Sequence, residues 1–126
     1  MLNLFLVASG GAAGAILRYA LSSFLKLFIH NSFYATLSIN VLGSFFIGYL
    51  ISMSLTKIQS EYFIKYFLII GFLGSFTTFS TFSLNIYQLY LDKQFLYLAI
   101  YSTCSILGGL LFLLIGIFIS NLIINN

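Results

Sequence analysis

The stretch from Gly71 to Ser83 contains residues whose types and spacing could support a chemical function. The stretch places two glycines three residues apart and two threonines side by side within an otherwise apolar segment. Glycine and threonine are poor helix formers, and irregular backbone inside a bilayer is tolerated only where it is buried in protein or lines a polar cavity. The stretch is therefore the first candidate for a site, and the rest of the chain is expected to house it.

Two aromatic side chains in this stretch share a helical face, because Phe79 and Phe82 are three residues apart. Aromatic rings carry a positive edge, so rings that present their edges to a pore can stabilise a small anion. Such weak coordination suits conduction, since an ion that enters a binding site in a channel must also be able to leave it. Ser80 and Thr81 lie between the rings and would add hydroxyl donors. The alternative is core packing, which is common in a chain with 15 phenylalanines.

Three further polar residues lie inside apolar segments: Asn40, Tyr101 and Ser105. The two N–H donors of Asn40 could serve an anion or bond a neighbouring helix. Tyr101 and Ser105 share a face at a spacing of four residues and would form a line of hydroxyl donors. Such hydroxyls also commonly bond their own helix, so both interpretations stay open.

Arg18 is the only charged residue well inside an apolar segment. An intramembrane arginine is costly, so Arg18 is expected to face protein or a water-filled vestibule and to pair with carbonyls, a carboxylate or an anion. Its long side chain could also reach the membrane interface. Structural anchoring and attraction of anions are both compatible with this position.

Acidic residues are absent from the apolar segments, because Glu61 and Asp92 both fall at predicted turns, as does His30. Proton coupling and cation extrusion usually require a buried carboxylate, so neither is expected. No base is placed to activate the hydroxyls, which argues against an enzyme. The single cysteine, Cys104, excludes an intrachain disulfide and a cysteine-based metal site. A passive path for a neutral or anionic species remains.

The composition predicts that the bilayer is the solvent for this chain. It is 61% hydrophobic and 6% charged, with a mean hydropathy of +1.11, which is far from a soluble domain. We predict an all-α integral membrane protein whose residues 1–126 form one domain with four transmembrane helices, at about 4–25, 33–55, 62–90 and 95–122. The first span is interpreted as a retained helix. The third is too long for one straight crossing and is expected to be broken mid-membrane.

The basic residues do not select an orientation, and their scatter gives no nucleic-acid patch. Lys57 and Lys65 would lie near one face of the membrane, and Lys26 and Lys93 near the other, with Arg18 deeper. This balance under the positive-inside rule predicts dual topology, with copies inserted both ways and paired antiparallel. The alternative is a weak bias that another feature resolves. Four helices do not easily enclose a polar path, so self-association is expected.

Small residues recur at spacings that let membrane helices approach closely. Gly10 and Gly14 are four residues apart, as are Ser44 and Gly48. Gly108 and Gly109 leave the last span without side chains at two adjacent positions. We interpret these positions as packing surfaces of a tight bundle.

Three segments together carry a resemblance to a known family. Ser9–Tyr19 is a glycine-rich helix that ends in arginine, Thr36–Gly48 surrounds an asparagine, and Gly71–Phe82 contains the break. In this order they resemble the Fluc (CrcB) family of small fluoride channels, and the third segment matches the family signature most closely. The resemblance covers nearly the whole chain. It implies a passive fluoride-selective channel in the cell membrane that exports fluoride from the cytoplasm and confers fluoride resistance.

The resemblance also implies an antiparallel homodimer with two pores and assigns residues to them. Phe79 and Phe82 correspond to the phenylalanines that line the pore, Asn40 to its amide, and Tyr101 and Ser105 to a polar track on the fourth helix. Gly109 stands where that track continues with a serine in the family.

A sodium ion at the dimer interface is likewise implied by the resemblance alone. By motif position, the backbone carbonyls of Gly74 and Thr77 from each copy would hold it. The alternatives to a fluoride channel are a dual-topology small multidrug exporter, which usually requires an embedded carboxylate, and a non-transporting membrane assembly subunit.

Overall fold

The computed structural model describes residues 1–29, 32–54 and 62–125, and its regular structure in these ranges is entirely helical. Helices α1 and α2 precede a π-helix that continues directly into the single turn α3, and α4 and α5 complete the chain. Their bounds are α1 Leu2–Phe28, α2 Ser32–Ser54, π-helix Phe63–Leu73, α3 Gly74–Phe76, α4 Phe79–Leu91 and α5 Phe95–Ile124. The predicted turn at 56–61, with Lys57 and Glu61, and His30 lie outside the described residues.

Within the described ranges, four helical segments are long and apolar enough to cross a bilayer. They are Leu2–Phe28, Ser32–Ser54, Phe63–Leu91 and Phe95–Ile124. The shortest has 23 residues. At 1.5 Å per residue it extends about 35 Å, which exceeds a hydrocarbon core of about 30 Å. The prediction of an all-α membrane protein with four spans is confirmed at this level.

Glycines bring α1 onto the π-helix. Their spacing predicted a close helix contact but not its partner. Gly10 and Gly14 are buried, and a Cβ atom at either would collide with the backbone carbonyl of Phe67 or Phe72. Backbones that approach this closely gain van der Waals contact, which drives helix association in lipid because the hydrophobic effect does not act between helices there. The two glycines therefore fix α1 against the segment that leads to Thr77.

Helices α2 and α5 form the second close pair and run in the same direction. A Cβ at Gly48 would collide with the Leu113 carbonyl, and one at Gly116 with the Phe45 carbonyl. Gly116 was not singled out by the sequence. Gly108 and Gly109 pack less tightly, because a Cβ there would lie 3.4 Å from Val41 Cγ2 and 3.5 Å from Ser44 Oγ.

The helical backbone is interrupted between α3 and α4. Thr77 has φ −76° and ψ 156°, and Thr78 has φ −147° and ψ 115°, so both residues are extended. The Thr77 N–H still closes α3 by donating to the Leu73 carbonyl at 3.0 Å. The Thr78 hydroxyl caps α4 by accepting from the Thr81 N–H at 3.1 Å.

Two buried clusters lie on either side of this interruption. One is formed by Ile39, Leu73 and Phe76, and the other by Phe82, Leu89 and Tyr101. Each cluster joins α2 or α5 to one side of the third span. The extended residues Thr77 and Thr78 are thus held between two packed regions.

Candidate functional site

Asn40 on α2 satisfies the backbone of the extended residue Thr78. Its Oδ1 accepts from the Thr78 N–H at 2.8 Å, and its Nδ2 donates to the Thr78 carbonyl at 3.0 Å. A buried backbone group without a partner costs about 1–3 kcal/mol, so this pair of bonds stabilises the interruption. The carboxamide carries two N–H donors, and only one of them is used within the described chain.

Arg18 on α1 satisfies a second backbone group of the interruption. Its Nε donates to the Ser75 carbonyl at 3.0 Å. Of the expected partners, a carbonyl, a carboxylate or an anion, the structure thus shows a carbonyl. In an uninterrupted helix this carbonyl would accept from the N–H of Phe79. The side chain also borders a cavity of about 170 Å³, whose lining includes Ser22 and Thr81.

A larger cavity of about 260 Å³ opens beside the interruption, between α2, α4 and α5. It brings together four of the residues that the sequence nominated for the anion path: Asn40, Phe79, Phe82 and Ser105. The remaining lining residues are Ser44, Ile47, Thr77, Thr78 and Ile106. No side chain in this lining is ionisable, so its polar character comes from amide and hydroxyl groups.

The two phenylalanines of the cavity differ in environment. Their ring centroids are 5.6 Å apart with an angle of 41° between the planes. Phe82 is 7% exposed and packs on Tyr101, whereas Phe79 is 79% exposed. Core packing therefore describes Phe82, although its ring also lines the cavity. The Phe79 ring projects from the surface of the chain.

Ser80 and Thr81 are not part of this cavity lining. The Thr78 hydroxyl lies 3.2 Å from Ser80 Oγ and donates to Thr81 Oγ1 at 3.0 Å. Thr81 borders the Arg18 cavity instead. These hydroxyls form a small group with Thr78 at the start of α4.

Asn85 was missed by the sequence analysis and links Tyr101 to α2. It is 2% exposed, and its Nδ2 donates to Tyr101 Oη at 3.0 Å and to Thr36 Oγ1 at 3.2 Å. The available signal was a carboxamide three residues after Phe82 in an apolar segment, the same kind of signal that identified Asn40. Because Tyr101 Oη accepts from Asn85, its own proton is left to donate elsewhere.

Tyr101 and Ser105 share a face of α5 but reach different spaces. Tyr101 borders a separate, largely aromatic cavity, and Ser105 borders the cavity beside the interruption. The buried Ser105 hydroxyl makes no hydrogen bond within the described part of the chain, although Tyr101 lies near it. Its donor is therefore unused.

The carbonyls of Gly74 and Thr77 lack the partners that a continuous helix would provide. The Thr78 N–H, which would donate to the Gly74 carbonyl in such a helix, donates to Asn40 instead. Gly74 is exposed, and a Cβ there would meet only the Ile69 carbonyl, at 3.6 Å. The described residues contain no cluster of three histidines, cysteines or acidic residues. Backbone carbonyls are among the oxygen ligands that a hard cation accepts.

The fold and this site define a multi-pass helical membrane protein with an uncharged polar cavity beside an interrupted span. The family model of the CrcB-like protein, Camphor Resistance (CrcB), matches residues 5–117. The chain therefore belongs to the CrcB-like family, as the resemblance of its three segments predicted.

Several relatives match almost end to end. A fluoride-specific ion channel FluC of Haemophilus ducreyi is 35% identical over 95% of this chain and 93% of its own length. A fluoride-specific ion channel FluC 2 of Bacillus cereus is 39% identical over 92% of this chain and 95% of its own length. A fluoride-specific ion channel FluC of Prosthecochloris aestuarii is 39% identical over 88% of this chain and 87% of its own length.

Proposed function

We propose that this chain forms a passive, fluoride-selective channel in the cell membrane that lets fluoride leave the cytoplasm down its electrochemical gradient. The observation that carries the proposal is the cavity of about 260 Å³ with amide, hydroxyl and aromatic lining and no carboxylate. A carboxylate would repel an anion, whereas neutral donors attract it without holding it. The names of the similar proteins, which are fluoride-specific ion channels, agree with this chemistry.

The residues nominated for the anion path have separate roles in this proposal. The second N–H of Asn40 and the free hydroxyl of Ser105 donate to fluoride as it passes. The ring edges of Phe79 and Phe82 replace part of its hydration shell. Ser80 and Thr81 supply further hydroxyls beside Thr78, which lines the cavity.

Two residues outside the cavity lining support the path. Arg18 anchors the interruption through Ser75, and its positive charge raises the local concentration of anions. Asn85 donates to the Tyr101 hydroxyl oxygen, so the hydroxyl proton of Tyr101 points away from that carboxamide. In this proposal Tyr101 therefore extends the line of donors on α5.

The proposed assembly is an antiparallel homodimer with dual topology and two pores. The Phe79 ring borders the cavity yet is 79% exposed, and in this proposal a second copy covers it and completes the wall. Thr77 and Thr78 lie about midway along Phe63–Leu91, which agrees with a break at mid-membrane where two copies would meet. The balanced basic residues permit both insertions.

A sodium ion is proposed at the contact between the two copies. The Gly74 and Thr77 carbonyls are freed by the interruption, and a hard cation prefers such oxygen ligands. When bound, the ion would supply positive charge that compensates these carbonyls. Replacing sodium with a large organic cation should lower the thermal stability of the dimer, and an unchanged stability would count against the ion.

The function can be tested with purified protein in liposomes loaded with potassium fluoride, with a potassium ionophore to balance charge. A fluoride electrode should record rapid fluoride efflux. A chloride electrode should record no chloride efflux from vesicles loaded with potassium chloride. A purified dimer that releases no fluoride would contradict the proposal and favour the assembly subunit. Equal chloride efflux would contradict selectivity.

Dual topology can be tested with one engineered cysteine. Gln94→Cys in a Cys104→Ser background places an exposed thiol in the turn before α5 and leaves every charge unchanged. An impermeant maleimide should label about half of the protein from each side of the membrane, as expected for balanced charge. Labelling from one side alone would refute dual topology.

A further inference from the structure

The line of donors on α5 ends at a position without a side chain. Tyr101 and Ser105 are one turn apart, and the next residue of that stripe is Gly109. A Cβ built at Gly109 would lie 3.5 Å from the hydroxyl oxygen of Ser44 on α2. A hydroxyl from the neighbouring helix therefore faces the place where α5 has none.

The Ser44 hydroxyl is not used by its own helix. Serine and threonine hydroxyls in these helices commonly donate to the carbonyl four residues earlier, as Ser9, Thr36, Ser83 and Ser102 do. Ser44 makes no such bond, nor any other hydrogen bond to the part of the chain that the structure describes. A donor left without a partner in a membrane is costly, so an ion or water is the expected partner.

Ser44 is also correctly placed for an anion path. It lines the cavity of about 260 Å³ that contains Asn40, Phe79, Phe82 and Ser105. It lies four residues after Asn40, which corresponds to about 6 Å along the axis of α2. The cavity thus brings together donors from the two parallel helices, Asn40 and Ser44 on α2 and Ser105 on α5.

We propose that Ser44 donates its hydroxyl to fluoride at the level of Gly109 and so continues the path that α5 leaves incomplete. This inference rests on the proposed channel function. The competing explanation is that a small residue is needed here only for helix packing. The two explanations differ in whether the hydroxyl itself is required.

Ser44→Ala removes the hydroxyl and keeps the small volume, so it separates these explanations. We expect initial fluoride efflux from liposomes at limiting protein density to fall about tenfold, the effect of losing one hydrogen bond to a charged group. Ser102→Ala is the matched control, because the Ser102 hydroxyl donates to the Leu98 carbonyl of its own helix. Its efflux should equal that of the wild type.

A second substitution moves the hydroxyl to the facing helix. Gly109→Ser in the Ser44→Ala background should restore efflux to within about threefold of the wild type, since the added Cβ makes only an ordinary contact at 3.5 Å in the parent. If Ser44→Ala does not yield a folded dimer, Ser44→Cys keeps the size with a weaker donor and should show the same loss.

The outcomes distinguish this inference from the function on which it rests. Efflux from Ser44→Ala at the wild-type rate would overturn the role of Ser44 and leave the channel function intact. A double variant that remains as slow as Ser44→Ala would also overturn it, because the missing hydroxyl would not be the cause. Absence of efflux from the wild type would instead overturn the proposed function itself.

Discussion

Replacing Asn40 with aspartate should lower fluoride efflux by at least about 100-fold. The substitution keeps the shape of the side chain and the acceptor for the Thr78 N–H, but it removes the donor to the Thr78 carbonyl. It also places a negative charge on the wall of the anion cavity. Two unit charges 4 Å apart repel by about 4 kcal/mol at an effective dielectric constant of about 20, which is more than enough for this loss.

The measurement is fluoride efflux from liposomes, with Asn121→Asp as the control. Asn121 accepts from the Ser52 hydroxyl through Oδ1 near the end of α5, outside the cavity, and a carboxylate can still accept there. The control should conduct like the wild type. Wild-type efflux from Asn40→Asp would place the anion path elsewhere.

Asn40→Ala separates the structural role of this residue from its electrostatic one. The variant leaves the Thr78 N–H and carbonyl without their partner, so the free energy of unfolding should fall by about 2–4 kcal/mol. Thermal unfolding in detergent would measure this loss. Asn40→Asp retains one of the two bonds and should be less destabilised than the alanine variant.

Substitution of either phenylalanine of the cavity by isoleucine should lower fluoride efflux about tenfold while the proposed dimer remains intact. Isoleucine retains apolar bulk but has no positive ring edge to present to the anion. The loss corresponds to about 1.4 kcal/mol, within the range that aromatic geometry contributes beyond burial. Efflux from Phe79→Ile and Phe82→Ile liposomes measures it.

The difference in burial separates conduction from packing. Phe82 is 7% exposed and in contact with Tyr101, so Phe82→Ile should also destabilise the fold, by about 1 kcal/mol. Phe79 is 79% exposed, so lost packing within its own chain would contribute little to its loss of efflux. Phe118→Ile, at a position 63% exposed and away from the cavity, should have no effect. Wild-type efflux from both cavity variants would refute the aromatic-edge mechanism.

Sequence alone determined the properties that depend on composition and local spacing. The apolar content required a bilayer, and the charge pattern gave four spans without buried carboxylates. The glycines and paired threonines of the third span indicated where the backbone is weakest. The same local reasoning nominated Asn40, Phe79, Phe82 and Ser105, which border one cavity.

Only the tertiary structure decided which partner each polar group takes. Asn40 and Thr78 are 38 residues apart, and Arg18 and Ser75 are 57 apart, so no local pattern pairs them. Because a helix in lipid is apolar on all faces, hydrophobic periodicity does not indicate which face meets protein. For that reason the contact of Gly116 with Phe45, and the bonds of Asn85 to Tyr101 and Thr36, follow only from the structure. The stretch from Gly71 to Ser83 was recognisable from its residues, but its cavity exists only through the side chains that α2 and α5 bring to it.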